Sequence, residues 1–235
     1  MISPDAPDIK ICRSKGDIGL TVANLVNLRV RANLDQSGIF HLALTGGSLG
    51  ILISEILVSQ WNEEPEKYAG LHLWWGDERF VPELSGDRNA RPVLIGLSKD
   101  SPIHVHQSLP SDSHVELDVA ARRYSADLFG IDMDLTILGV GPDGHVASLF
   151  PVQWEENEER DAIPVHDSPK PPAGRVSFSM SKINYSKAVW FVVSGEEVRE
   201  ALAKIIARDG SIPATYVRGK IETLLFTDQI ALGSE

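Results

Sequence analysis

The part of this sequence best equipped for chemistry is a histidine two residues after an aspartate, closing a glycine-rich turn. The segment reads Gly139-Val140-Gly141-Pro142-Asp143-Gly144-His145-Val146-Ala147-Ser148-Leu149-Phe150-Pro151 and follows the apolar run Leu135-Thr136-Ile137-Leu138. Imidazole is the side chain best matched to general-base work near neutral pH. Glycines at a strand exit let the chain turn sharply, so that the ring projects into a cleft instead of the core. Asp143 is close enough to orient that ring or to hold the turn. A lone histidine elsewhere reads as structural; here its position after an apolar strand favours function.

Two other segments have anion-binding chemistry. Leu44-Thr45-Gly46-Gly47-Ser48-Leu49-Gly50 lies between a strand and a helix. It reads either as a phosphate cradle, using the open N–H groups and positive end of the helix with the Ser48 hydroxyl, or as a plain turn with Ser48 as N-cap. Trp75-Gly76-Asp77-Glu78-Arg79-Phe80-Val81-Pro82 directly follows a strand, and ligands of open α/β sheets sit outside the carboxyl ends of strands. The planar fork of Arg79 suits a phosphate; as a surface ion pair with its acidic neighbours it would contribute little.

Several chemistries lack their signatures. The glycine turn does not continue to Gly-Lys-Ser/Thr, and no full dinucleotide fingerprint is present, which disfavours nucleotide binding. No Gly-x-Ser-x-Gly elbow exists, so attack by water is preferred over an acyl-enzyme. His104 and His106 face one way if the chain is extended there, but no third ligand stands at a recognisable spacing, so no metal site is assigned. His41, His72, His114 and His166 have no supporting pattern. The single cysteine, Cys12, has no neighbouring histidine and reads as a buried small hydrophobe in a reducing compartment.

These segments need a scaffold, and the apolar periodicity supplies one. Strands are expected over 39–44, 71–75, 103–106, 134–139, 175–180, 188–193 and 223–227. Helices are expected over 14–34, 49–58, 89–97, 113–129 and 196–208. In 113–129, Leu117, Ala120, Ala121, Tyr124 and Leu128 recur on one helical face. The alternation predicts an α/β fold, a Rossmann-like, mostly parallel sheet with helices on both faces, and a small additional strand-containing lobe. Residues 151–174, acidic and then proline-rich, read as a loop.

A chain of 235 residues with 43% hydrophobic and 23% charged residues suits a single globular domain over 1–235. The net charge of −11, without a basic stripe, argues against nucleic acid. No apolar run approaches the about 20 residues of a membrane span, and Met1-Ile2-Ser3-Pro4-Asp5 carries no secretory signal. The expectation is a cytoplasmic protein, monomeric or weakly self-associating, whose partner is a small molecule.

The three segments together resemble the 6-phosphogluconolactonase family, whose fold is shared with amino-sugar-phosphate deaminases and ribose-phosphate isomerases. The match runs from the turn near residue 45 to Val217. It takes in Pro171-Pro172-Ala173-Gly174-Arg175-Val176-Ser177-Phe178, Ser194-Gly195-Glu196-Glu197 and Ile212-Pro213-Ala214. Deaminases of this fold share Asp-Gly-His but continue to Asn-Glu-Pro, where this chain has Ser148-Leu149-Phe150-Pro151.

The resemblance implies hydrolysis of 6-phospho-D-glucono-1,5-lactone to 6-phosphogluconate, the second step of the oxidative pentose phosphate pathway, without metal or organic cofactor. It implies that His145 and Asp143 are catalytic, and that Gly46, Gly47, Ser48, Asp77, Arg79, Arg175 and Arg199 bind the substrate and its phosphate. Two positions depart from the family pattern. Val198 stands where a lysine is usual, so that either Arg199 next to it substitutes or the phosphate relies more on Arg79 and Arg175, and Arg88 stands where a serine is usual before Asn89. The rival readings are a deaminase or isomerase of the same fold and a non-catalytic sugar-phosphate sensor. A sensor would need a DNA-binding segment, and residues 1–38 are too short and too weakly basic to be one.

Overall fold

The computed structural model describes residues 6–233, so Met1–Asp5, on which the reading of no leader rested, lies outside the described residues. Seven strands form one parallel sheet: β1 (Asp8–Cys12), β2 (Phe40–Leu44), β3 (Leu71–Trp75), β5 (His104–Val105), β6 (Leu135–Gly139), β9 (Ala188–Val192) and β10 (Glu222–Asp228). Their order is β1-β10-β9-β6-β2-β3-β5. From β2 the chain builds outward through β3 and β5. It then crosses back to lay β6 on the other side of β2. The two halves therefore diverge between β2 and β6, the kind of crevice where α/β sheets place ligands.

Side-chain alternation explains the layers. Leu42 and Leu44 of β2 and Leu135 and Ile137 of β6 point to one face. There they meet Ile18, Val22, Val26 and Val30 of α1 (Lys15–Ser37) and Ile53 and Leu57 of α2 (Gly47–Glu63). Ala43, Leu138, Val189 and Phe191 point to the other face. They pack on α4 (Leu117–Asp127), α5 (Met180–Asn184) and α6 (Arg199–Ala207). β6 and β9 are thus covered on both sides, which is why they read as near-continuous apolar runs. On α4 the buried residues are Leu117, Ala120, Ala121 and Tyr124, the face given by the periodicity. Ser14 starts α1 by accepting a bond from the Asp17 N–H. Gly38, left-handed at φ 76°, ends it.

The small lobe is an antiparallel sheet of β4 (Asp77–Arg79), β8 (Arg175–Phe178) and β7 (Ala162–Val165), in the order β4-β8-β7. It revises three expectations. The run 175–180 belongs to this sheet and not to the parallel one, and it stops at Ser179, whose side chain caps α5. The stretch 151–174 is not all loop, because it contains β7. Asp77-Glu78-Arg79 leaves β3 only to pair with β8, Asp77 opposite Ser177 and Arg79 opposite Arg175. At the other edge, β1 was not foreseen as a strand; it pairs parallel with β10, and Cys12 at its end is buried and unbonded. The region 89–97 gives a shorter helix, α3 (Arg91–Gly96).

Candidate active site

A cleft of about 530 Å³ opens at the carboxyl ends of β2, β6 and β9, of a size that suits a small metabolite. Gly46, Gly47 and Ser48 line it from one side and Gly139, Gly141 and His145 from another. Asp77, Arg79 and Arg175 line the small-sheet wall. The three chemical segments read from sequence therefore converge. The Thr45 hydroxyl accepts a bond from the Gly139 N–H at 3.2 Å, tying the β2 and β6 exits together.

At His145 the turn is built by backbone bonds. The Gly141 N–H donates to the His145 carbonyl and the Gly144 N–H to the Gly141 carbonyl. Gly144 is left-handed, and a side chain on Gly141 would lie 2.0 Å from the His145 ring. Both glycines are therefore required for the ring to fold back over its own turn. His145 Nδ1 lies 2.5 Å from Asp143 Oδ1, and 15% of its side chain is exposed, so it is neither sealed in the core nor fully solvated.

Burial opposes the Asp143 carboxylate, but bonds from His145 and nearby backbone N–H groups outweigh it and hold its pKa below the ordinary value. An ionised carboxylate only accepts, so the imidazole proton sits on Nδ1 and Nε2 keeps its lone pair. Burial lowers the His145 pKa below its usual 6.5, against the pull of Asp143 and with a further push from the Lys170 ammonium. The ring is a neutral base at pH 7. Ala147, beside it in the cleft wall, holds a left-handed φ of 49°, a local strain of the kind that clusters at functional sites.

The glycine turn opens α2. Its N-cap is Gly46, not Ser48, and no side chain caps it, so its first-turn N–H groups have no side-chain acceptor. A side chain at Gly46 would require Asn89 to move, because a Cβ would lie 1.9 Å from Asn89 Oδ1. Ser48 is exposed and accepts a bond from Lys15 Nζ at 2.6 Å.

The Asp77-Glu78-Arg79 strand divides its tasks. Asp77 reaches the cleft wall, but its buried carboxylate is held by Ser148 Oγ at 2.7 Å, by Asn89 and by Arg175 at 3.5 Å. It acts as a hub joining β4, β8 and the histidine turn. Glu78 is buried and accepts backbone bonds from Arg79, Asn89 and Ala90, holding the start of α3. Arg79 faces the cleft while one of its terminal nitrogens bonds the Asp87 carbonyl.

Arg175 is only 5% exposed. All three of its nitrogens are engaged, with Asp77 and with the carbonyls of Lys170, Pro171 and Pro172. It therefore anchors the proline loop that brings Lys170 to the cleft.

Arg199 is the exception among the residues singled out from sequence. It does not line the cleft; it pairs with Glu196 at 3.3 Å and donates to the Ile230 carbonyl, while Val198 beside it faces the cavity. Of the two alternatives for the missing lysine, substitution by Arg199 does not fit this placement, because the first turn of α6 points it toward the C-terminal segment. Sequence reasoning missed Lys15, Lys170 and Asn89. The first two carry no motif, and only the flanking Pro-rich run marked the second.

No group of three or more His, Cys, Asp or Glu side chains suited to a metal occurs among the described residues. Of the histidine pair, His106 Nε2 lies 2.9 Å from His72 Nδ1, a direct ring-to-ring hydrogen bond, and His104 stacks on His72. No helix among the described residues is long and apolar enough to cross a membrane.

The family model described as glucosamine-6-phosphate isomerases/6-phosphogluconolactonase matches residues 13–226. A Streptomyces coelicolor 6-phosphogluconolactonase is 35% identical, covering 97% of this chain and 94% of that protein. A Rattus norvegicus 6-phosphogluconolactonase is 32% identical over 98% and 95% of the two chains. Among solved structures, the Thermotoga maritima 6-phosphogluconolactonase superposes with a TM-score of 0.80 at 27% identity, covering 94% of this chain and 99% of that one. A monomeric glucosamine-6-phosphate deaminase shares the fold, with a TM-score of 0.79 at 14% identity. From near its N-terminus to its last strand, this chain belongs to the glucosamine-6-phosphate isomerase/6-phosphogluconolactonase family.

Proposed function

We propose that this chain, acting as one cytoplasmic lactonase domain, hydrolyses 6-phospho-D-glucono-1,5-lactone to 6-phospho-D-gluconate, with His145 as the general base. The observation that carries the reading is a neutral, carboxylate-oriented imidazole opening onto the same cleft as an uncapped helix N-terminus. The α2 N-terminus, with Gly46, Gly47 and Ser48, receives the 6-phosphate, and Arg79 adds a cation at the wall. This sets the lactone carbonyl near His145.

His145 Nε2 takes a proton from water as the water oxygen bonds to the carbonyl carbon. The tetrahedral intermediate then breaks its bond to the ring oxygen, which takes the proton back from the imidazolium. The new carboxylic acid loses its proton to solvent. Asp143 holds the ring in the productive tautomer and stabilises the imidazolium, without itself being protonated.

The curated relatives are named as lactonases, and the side chains near His145 agree with that chemistry. Phe150, buried with its ring centroid 4.7 Å from that of His145, precedes Pro151 where the deaminase pattern has an acid before its proline. The test is turnover by the purified chain of 6-phosphogluconolactone and of glucosamine 6-phosphate. Lactone hydrolysis with no ammonia release is the expected result. Ammonia release without lactonase activity would establish the deaminase, and binding of either without turnover would establish a sensor.

A further inference from the structure

The cleft needs cations at its phosphate end, and of the basic residues lining it Lys15 is the one whose side chain is bonded to the start of α2. Its lining cations are Lys15, Arg79, Lys170 and Arg175. Arg175 has every nitrogen bound to Asp77 or to loop carbonyls. Arg79 bonds the Asp87 carbonyl, and its Nε is buried without a partner, turned from solvent. Lys170 lies at the reaction end, close enough to depress the His145 pKa. Arg199 faces elsewhere, and its neighbour Val198 presents only methyl groups to the cavity.

Lys15 is different. It is the first residue of α1, where a positive charge opposes the helix dipole. The nearby acid does not compensate it, because the Asp17 carboxylate is bound by Arg13. No ion pair joins Lys15 to a carboxylate among the described residues. Instead its side chain reaches across to α2, thirty-three residues away in sequence, and donates to Ser48 Oγ at 2.6 Å. That bond places the ammonium beside the uncapped N–H groups of α2, with two further N–H donors to offer.

We propose that Lys15, steadied by Ser48, is a second phosphate-binding cation of this cleft beside Arg79 and sets its preference for phosphorylated over unphosphorylated lactones. This rests on the lactonase reading above. The N-terminal helix thereby supplies the charge that the start of α6 does not. The ligand class is a phosphomonoester dianion, which matches a lysine, a hydroxyl and a helix N-terminus in one corner.

The experiment compares full-length wild type, Lys15→Ala and Lys15→Arg on 6-phosphogluconolactone and on glucono-1,5-lactone, with inorganic phosphate as competitor. Lys15 is exposed, so the variants should fold as wild type, and circular dichroism checks this. In Lys15→Ala, KM for the phosphorylated lactone should rise about 10- to 100-fold, the size of one lost charge-assisted bond, with kcat changing far less. The Ki of phosphate should rise in parallel, activity on the unphosphorylated lactone should hold, and Lys15→Arg should recover most of the loss. An unchanged KM and phosphate Ki, or equal losses on both lactones, would overturn the assignment. If wild type hydrolyses neither lactone, the lactonase reading fails by itself, and calorimetric titration with inorganic phosphate decides Lys15. Weaker binding to Lys15→Ala than to wild type supports it; equal binding, or none to wild type, refutes it.

Discussion

His145 stands where its charged form is disfavoured, and its pH behaviour follows from which groups surround it. Burial lowers its pKa most, Asp143 opposes that, and Lys170 adds to the lowering. Since the base must be neutral, activity should hold below pH 6.5 and fall only as the pH drops through the lowered value. Lys170→Met removes one lowering influence, so the acidic limb of kcat/KM should move to higher pH. A pH–rate profile checks this, and a limb that stays in place or moves to lower pH would show that Lys170 does not act on the ring. At this scale the sequence was readable where a motif surrounds the residue: His145 and the diglycine turn line the cleft, and Asp143 is bonded to His145. It was misleading at Arg199, because an arginine beside the right turn need not point into it. Lys15 was invisible, since its contact with Ser48 depends on how α1 lies against α2.

Elements were legible in proportion to their burial. β2, β3 and β6 are covered on both faces and appear as apolar runs, so their positions were given within a residue or two. β1 was not, because as an edge strand it exposes Ile11 and carries Asp8 and Lys10. β4 consists of three charged residues and exists because β8, almost a hundred residues later, pairs with it. No local pattern announces such a strand. The glycine turns, by contrast, have local and steric necessity. Gly46→Ala would drive a methyl group into Asn89, whose amide also bonds the Asp77 carbonyl. We expect a cost of about 1–3 kcal/mol, the usual penalty of overpacking, together with a raised KM as the cradle shifts. Urea melts and steady-state kinetics measure the two effects, and a variant matching wild type in both would show that Asn89 yields without cost.

Across the whole molecule, a histidine cluster makes the fold sensitive to acid through His41, His72 and His106. His41, His72 and His104 are register partners on three adjacent strands, and His106 joins them by bonding His72 and stacking on Trp74. Burial lowers the pKa of His41, His72 and His106. The mutual repulsion of the rings lowers His72 further, to about 4. Asp134 pulls His41 the other way and Asp127 does so for His106, while Lys182 and Lys187 reinforce the lowering at His41. His41, His72 and His106 each bind their proton more readily unfolded than folded. Stability is therefore full above about pH 6.5 and is lost as the pH falls toward 4. The unfolding free energy at pH 5 should be lower than at pH 7.5 by at least about 1 kcal/mol, and His72→Gln should flatten that slope. Parallel urea melts at the two pH values provide the comparison, and an equal slope in the variant would remove the cluster from the account.

The central claim is that one oriented imidazole in the cleft activates the attacking water. Its most direct test is kcat/KM for 6-phosphogluconolactone in His145→Ala, with folding confirmed by an unchanged melting transition. The account predicts a loss of about 100- to 10,000-fold. Turnover within a few-fold of wild type in the folded variant would contradict it.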